Sequence, residues 1–195
     1  MLKKTFFLES IYNVDFLQAS IAEVVFTGRS NVGKSSIINI LCSQKKLAKT
    51  SKNPGSTKSI NIYGVTKKKW IIDLPGYGYA KTSFRNKLFL SKILKNYIIE
   101  RKSKKKVYIV IDAFVGPTKL DFCMANKLID KNLTFKVIVN KFDKVININV
   151  NTKNEMKKEL AKKFIVNESD IFILSAKSQD RELDKLKSDI TNFLF

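Results

Sequence analysis

Residues 26–41 read FTGRSNVGKSSIINIL. A short apolar run, 23–28 EVVFTG, ends at a glycine, and an apolar pattern of helical spacing resumes after Lys34-Ser35-Ser36. Residues Gly28 to Ser35, GRSNVGKS, fit G-x-x-x-x-G-K-S/T and sit after a strand and before a helix, where the mechanism needs them. In such a turn the backbone N–H groups and the helix N-terminus converge on phosphate oxygens. Lys34 then reaches the β- and γ-phosphates, and the Ser35 hydroxyl ligates Mg2+. Gly28 and Gly33 allow close backbone approach, and Arg29, Ser30, Asn31 and Val32 complete the cradle.

Working outward, strand-length apolar runs recur at 60–65 INIYGV, 69–74 KWIIDL, 107–113 VYIVIDA, 135–141 FKVIVNK and 170–176 DIFILSA. Continuous Val/Ile runs suit strands buried on both faces. Segments with helical spacing lie between most of them, at 35–41, 86–100, 119–131, 152–164 and 181–195. Alternating strand and helix implies an α/β fold: a mostly parallel six-stranded sheet with helices on both faces. Only a Lys-rich turn separates INIYGV from KWIIDL, so those two runs form a hairpin and give the sheet one antiparallel strand. No repeat or linker divides the chain, and a single domain over 1–195 is expected. The irregular stretch 42–59, CSQKKLAKTSKNPGSTKS, is long enough that a functional role is expected of it.

A phosphate loop alone does not name the base. Residues 139–143, VNKFD, supply Asn140, Lys141 and Asp143 around Phe142 in an N/T-K-x-D pattern. A carboxylate at Asp143 accepts from both guanine N1–H and the exocyclic amine, whereas adenine would leave it unpaired. Leu174, Ser175 and Ala176, at the end of the last strand, lie beside the base, where backbone groups can read the guanine carbonyl. Asp73, Leu74, Pro75 and Gly76 form D-x-x-G: Asp73 suits a water-mediated Mg2+ contact and the Gly76 N–H suits the γ-phosphate. In 53–59, NPGSTKS, Gly55, Ser56, Thr57, Lys58 and Ser59 form a second conditional loop, with Thr57 as the other Mg2+ hydroxyl ligand. The expected ligand is therefore GTP or GDP with Mg2+, and Lys34, Thr57 and Gly76 are the expected catalytic contributors.

Lys and Arg number 37 against 17 for Asp and Glu, a formal net charge of +20, which favours a polyanionic partner such as RNA. The basic clusters 44–49 QKKLAK, 67–69 KKK and 101–106 RKSKKK are its candidate contacts. With no histidine in the chain, His-built zinc sites and Ser/His or Cys/His nucleophilic machinery are excluded. Cys42 and Cys123 show no metal-ligand spacing and read as reduced thiols. The N-terminus lacks a signal-peptide apolar region, and no apolar run approaches the roughly 20 residues that span a bilayer. A cytoplasmic monomer without membrane insertion is expected.

Four stretches together, 28–36 GRSNVGKSS, 46–57 KLAKTSKNPGST, 73–81 DLPGYGYAK and 112–121 DAFVGPTKLD, resemble the EngB/YihA/YsxC family of bacterial ribosome-assembly GTPases. The second is similar to the family's KLARTSKTPGKT and the fourth to its DIRHEPTELD. The resemblance runs from about Asp15 to the last helix. It implies a Ras-like fold, GTP binding with slow hydrolysis, association with the maturing large ribosomal subunit and its rRNA rather than DNA, and impaired cell division and septation on loss. The chain departs from the family at Ser56, usually Lys, at Asn140, usually Thr, and at 113–116 AFVG, which replaces an arginine- and histidine-containing stretch.

Tyr77 follows D-x-x-G, where many GTPases carry a water-orienting Gln. Intrinsic hydrolysis should therefore be slow, with a partner or a cation supplying what Tyr77 does not. Asn31 matches the place where some related GTPases bind K+ against the phosphates. Two other readings use the same loops. A small-molecule kinase would need neither D-x-x-G nor N-K-x-D. A non-ribosomal switch would differ only in its partner, and its binding would survive RNase.

Overall fold

The computed structural model describes all of the chain except residues 51–58, 79–82, 146–149 and 178–179. Its strands are β1 (Phe6–Ile11), β2 (Ala22–Gly28), β3 (Ile60–Gly64), β4 (Lys69–Asp73), β5 (Lys105–Asp112), β6 (Phe135–Asn140) and β7 (Ile171–Ile173). The helices are α1 (Lys34–Leu41), α2 (Phe84–Lys95), α3 (Lys119–Ile129), α4 (Val150–Phe164) and α5 (Arg181–Leu194). The strands form one sheet of order β1-β3-β4-β2-β5-β6-β7. β2 pairs in parallel with β4 and β5, β5 with β6, and β6 with β7, while β3 is antiparallel to β4. The α/β P-loop GTPase fold expected from the motifs is the fold observed.

The sheet has seven strands rather than six. The additional one, β1, precedes the stretch that carries the family resemblance and pairs antiparallel with β3 at the sheet edge. Its sequence FFLESI is neither a buried run nor a strict alternation, because most of it is exposed. What fixes it is a distant partner: the Phe6 ring packs where a Cβ on Gly64 would sit, 2.6 Å from Cζ.

Side chains alternate across the strands, and both faces are apolar. Val25, Ile72, Ile109 and Val137 join one cluster with Leu94, Leu128 and Phe164 of α2, α3 and α4. Val24, Ile71, Val110 and Ile138 join the other with Ile37 and Ile38 of α1 and Leu186 and Ile190 of α5. A fully buried isoleucine contributes about 1.5–3 kcal/mol by its burial alone. Truncating Ile71 or Ile72, both 0% exposed, would cost about 2–5 kcal/mol, a large fraction of a domain's net stability.

The predicted helix over 86–100 changes character after Lys95: Asn96–Glu100 form a π-helical turn. Lys105 at the start of β5 closes it, its Nζ donating to the carbonyls of Tyr97 (2.9 Å), Ile98 (3.2 Å) and Arg101 (2.7 Å). The 42–59 stretch is tied down at its beginning. Asn39 of α1 donates to Ala48 O (2.9 Å) and accepts from Ala48 N–H (2.7 Å), holding Ala48 against the core. Cys42 is buried and Cys123 exposed, and both are free thiols. No helix among the described residues is long and apolar enough to cross a membrane.

Candidate functional site

In an open parallel sheet, ligands bind beyond the carboxyl ends of the strands, and here the predicted site residues collect at that end. The turn after β2 enters α1 through Gly33, whose φ of 95° is left-handed and strained for any other residue. Close approach adds a second constraint, since a Cβ at Gly33 would lie 2.3 Å from Asn140 Nδ2. The first N–H groups of α1 have no intrahelical acceptors and face the loop, the arrangement that receives phosphate.

Lys34 is buried and its Nζ donates to Gly28 O at 3.4 Å. Ser35 Oγ donates to Asp73 Oδ2 at 2.8 Å. Burial pushes the Lys34 ammonium down and the Asp73 carboxyl up, and their opposite charges partly offset both shifts. Asp73 Oδ1 is buried with no hydrogen-bond partner among the described residues. A buried anionic oxygen without a donor is costly, and it stands on the carboxylate that already holds the Ser35 hydroxyl. This donor set fits Mg2+, which keeps several waters and takes few protein ligands besides substrate phosphates. Ser35 would ligate it directly and Asp73 through water, supplying charge neutralisation at the phosphates. Thr57, expected as the other hydroxyl ligand, lies outside the described residues together with Gly55, Ser56 and Lys58. Ser59 is described, and its hydroxyl donates to Asn61 Oδ1 at 3.4 Å.

Leu74 is buried, its N–H donating to Phe26 O at 3.1 Å, so Pro75 and Gly76 leave the sheet in a fixed direction. Gly76 passes directly over the phosphate loop, and a Cβ there would lie 2.8 Å from Ser30 N and Cα. Ser30 fastens the crossing, donating its N–H to Tyr77 O at 3.0 Å and its Oγ to Gly76 O at 3.4 Å. Tyr77 is anchored in turn, its hydroxyl donating to Asp121 Oδ1 at 2.9 Å. Arg29 Nε stands 3.6 Å from Asp121 Oδ2. The phosphate loop, the D-x-x-G segment and the start of α3 thus meet at one buried carboxylate.

The residues expected to recognise the base carry a second set of links. Asn140 donates Nδ2 to Val32 O (2.8 Å) and accepts at Oδ1 from Ala176 N–H (3.1 Å), bracing the phosphate loop against the 174–176 loop. A guanine carbonyl would share the Ala176 donor with that oxygen. Lys141, at φ 63°, donates Nζ to Asn31 O (2.6 Å) and Asp112 Oδ2 (2.7 Å). Burial raises Asp112, but Lys141 and the N–H groups of Phe114 and Val115 hold it below the usual carboxylate range. Asp143 accepts from Ser175 Oγ (2.7 Å) and Lys177 Nζ (3.0 Å). Those bonds hold its pKa below the usual carboxylate range, so the carboxylate is ionised and offers acceptors. Phe142 is buried, with its N–H on Leu174 O at 3.3 Å.

The sequence motifs gave no site role to Asp112 and Asp121, the two ends of the 112–121 stretch, or to Lys177. The signal for Asp112 is an acidic residue at the carboxyl end of β5, between the phosphate and base loops. For Asp121 it is the Thr118-x-x-Asp121 capping box that opens α3.

A family model described as 50S ribosome-binding GTPase matches residues 23–141. The probable GTP-binding protein EngB of Mycoplasmopsis synoviae (strain 53) is 38% identical over 171 residues, covering 88% of this chain and 89% of that protein. Among solved structures, a probable GTP-binding protein engB superposes with a TM-score of 0.68 at 24% identity, over 88% of this chain and 98% of the other. Era, in complex with MgGDPNP and nucleotides 1506–1542 of 16S ribosomal RNA, gives a TM-score of 0.69 at 25% identity, over 91% of this chain and 58% of Era.

Proposed function

This chain belongs to the EngB family of 50S ribosome-binding GTPases, and we propose that within it the protein is a GTP-operated switch in assembly of the large ribosomal subunit. One observation carries the reading. Gly76, at 2.8 Å from the Ser30 backbone by its would-be Cβ, is joined through Tyr77 to the buried Asp121 of α3. A γ-phosphate that recruits the Gly76 N–H therefore pulls on a segment fastened to the start of α3.

In this proposal Lys34, Ser35, Asp73 and Thr57 hold the triphosphate and Mg2+, and Asn140, Lys141 and Asp143 select guanine. Era's complexes with MgGDPNP and rRNA support both the metal and the RNA partner by kinship. Hydrolysis is slow without a partner, because Tyr77 is tied to Asp121 and has no amide to orient water. A K+ site at Asn31 belongs to the proposal, and equal hydrolysis rates in K+ and Na+ would remove it. Residues 1–195 act as one cytoplasmic domain, including the N-terminal strand β1, and loss of the protein impairs cell division and septation.

The test is co-sedimentation with purified large and small subunits, in GDP and in a non-hydrolysable GTP analogue, over a salt series. Large-subunit binding that is markedly tighter with the analogue, and that weakens steeply with salt, supports the switch. Equal binding in both nucleotide states, or binding to neither subunit, rejects it.

A further inference from the structure

The amino ends of the parallel strands, opposite the nucleotide loops, gather two lysine-rich turns on either side of the start of β2. Lys68 O accepts from Ile21 N–H at 2.7 Å, and Lys104 O accepts from Glu23 N–H at 2.9 Å. The 66–68 turn and the 101–104 turn therefore flank the same three residues. The end of α5 lies under them. Lys69 Nζ sits 4.1 Å from the Phe195 ring centroid, and Lys104 and Lys106 stand 5.3 and 5.2 Å from that of Phe193.

Two side-chain carboxylates at this pole are already engaged. Glu23 is buried against Arg101 at 2.7 Å, with Tyr97 and Ser103 also donating to it. Asp189 accepts from Lys106 and Lys136 at 3.1 and 2.9 Å. Among the described residues no carboxylate comes within the 4.0 Å of an ion pair to Lys67, Lys68, Lys69, Lys102 or Lys104. Lys67, Lys68, Lys102 and Lys104 are exposed. Concentrated cations without internal counterions raise a local potential that attracts a polyanion.

We infer that this pole is a docking surface for the phosphate backbone of RNA, engaged alike in the GDP and GTP states. The inference rests on the ribosomal reading for its partner. A lipid surface would need apolar side chains clear of the cations for insertion. Here the Phe193 ring is half-buried beneath two ammonium groups and Phe195 lies against a third, which leaves Ile21, exposed between the two turns, as a small apolar area for insertion. Ammonium groups that cover the rings suit the phosphates of a polynucleotide, a contact that needs cations and no apolar insertion. Independence from nucleotide follows from position, because Gly76 and the phosphate loop lie at the other end of the sheet. The pole supplies affinity in both states, and the switch adds its preference at the far end.

The test compares K67Q/K68Q/K102Q/K104Q with K92Q/K119Q/K127Q/K162Q, which removes the same charge from exposed positions on α2, α3 and α4. The readouts are anisotropy of a labelled 16-nucleotide uridine oligomer and co-sedimentation with large subunits, each in GDP and in the GTP analogue. Urea melts and GDP affinity verify that each variant is folded. The pole variant should bind both RNA targets at least ~10-fold more weakly in either nucleotide state. Its log–log salt slope should be shallower by about 0.7 for each lysine that contacts a phosphate. The second variant should stay close to the parent protein. Equal losses in both variants, or a loss confined to one nucleotide state, overturn the inference. Unchanged RNA binding with lost binding to phosphatidylglycerol vesicles overturns it in favour of a membrane. If the parent binds the oligomer through this pole but not the large subunit, the ribosomal reading fails alone and the RNA surface stands.

Discussion

Tyr77 and Asp121 are 44 residues apart in sequence and share a 2.9 Å hydrogen bond, the phenol donating to a carboxylate that is 0% exposed. The same carboxylate accepts from Thr118 N–H at 2.8 Å and Thr118 Oγ at 2.7 Å, so Asp121 caps α3 and holds Tyr77 at once. Removing the hydroxyl deprives a buried anion of one donor, a loss of about 1–3 kcal/mol. Tyr77→Phe should lower the urea midpoint accordingly, with GDP affinity little changed. An unaltered midpoint would mean that the bond does not hold the D-x-x-G segment in solution.

The Asp143 carboxylate is held by Ser175 and Lys177, and both bonds lower its pKa. Asp143→Asn exchanges an acceptor for a donor opposite guanine N1–H and the exocyclic amine. Each charge-assisted bond lost is worth about 1.5–3 kcal/mol, so GTP and GDP affinity should fall at least ~10-fold. Xanthosine nucleotides should gain affinity in the same variant. Titration calorimetry with both base types decides it, and unchanged preference would displace Asp143 from the base site.

Asp73 Oδ1 is a buried oxygen without a hydrogen-bond partner among the described residues. Asp73→Asn keeps the shape and removes the charge. The gain in GTP affinity that Mg2+ provides should shrink strongly, while affinity measured in EDTA should change little. Equal losses with and without Mg2+ would point to a structural role instead.

Lys105 gives the protein an alkaline signature. Burial among the carbonyls of 97–101 lowers its pKa from an ordinary 10.5 to about 8. Between those values the unfolded chain binds the proton that the folded chain has released, so stability rises with pH across that window. Below pH 8 both states are protonated and the contribution is flat. Lys105→Met should flatten the part of the rise between pH 8 and 10 that Lys105 supplies, leaving the contribution of other buried groups such as Lys34, whatever its effect on absolute stability. Urea midpoints of both proteins at half-unit pH steps test this, and parallel curves would contradict it.

The parts of the site legible in the sequence were those where chemistry demands contiguous residues. A phosphate cradle needs Gly33, Lys34 and Ser35 in succession, and guanine recognition of this kind needs Asn140 and Asp143 three apart, so spacing brings both forward as candidates. The roles set by long-range contact were not legible. Asn140 reads as a base ligand, yet its two hydrogen bonds in the fold brace Val32 to Ala176. Tyr77 reads as a missing glutamine, yet the structure makes it a tether. β1 escaped because an exposed edge strand has no buried pattern of its own, and its register comes from Gly64 and Tyr63 far along the chain.

That edge strand also bears on how the protein stays dispersed. Phe6, Phe7 and Leu8 are exposed on an open sheet edge, the kind of template on which identical chains align into fibrils. The register slips by one residue between Phe7 and Glu9, leaving Leu8 as a bulge that interrupts the ladder. Leu8 is therefore a built-in defect that denies a second molecule a straight row of amides. Its deletion would make the edge continuous, and light scattering of concentrated samples would register the gain in self-association.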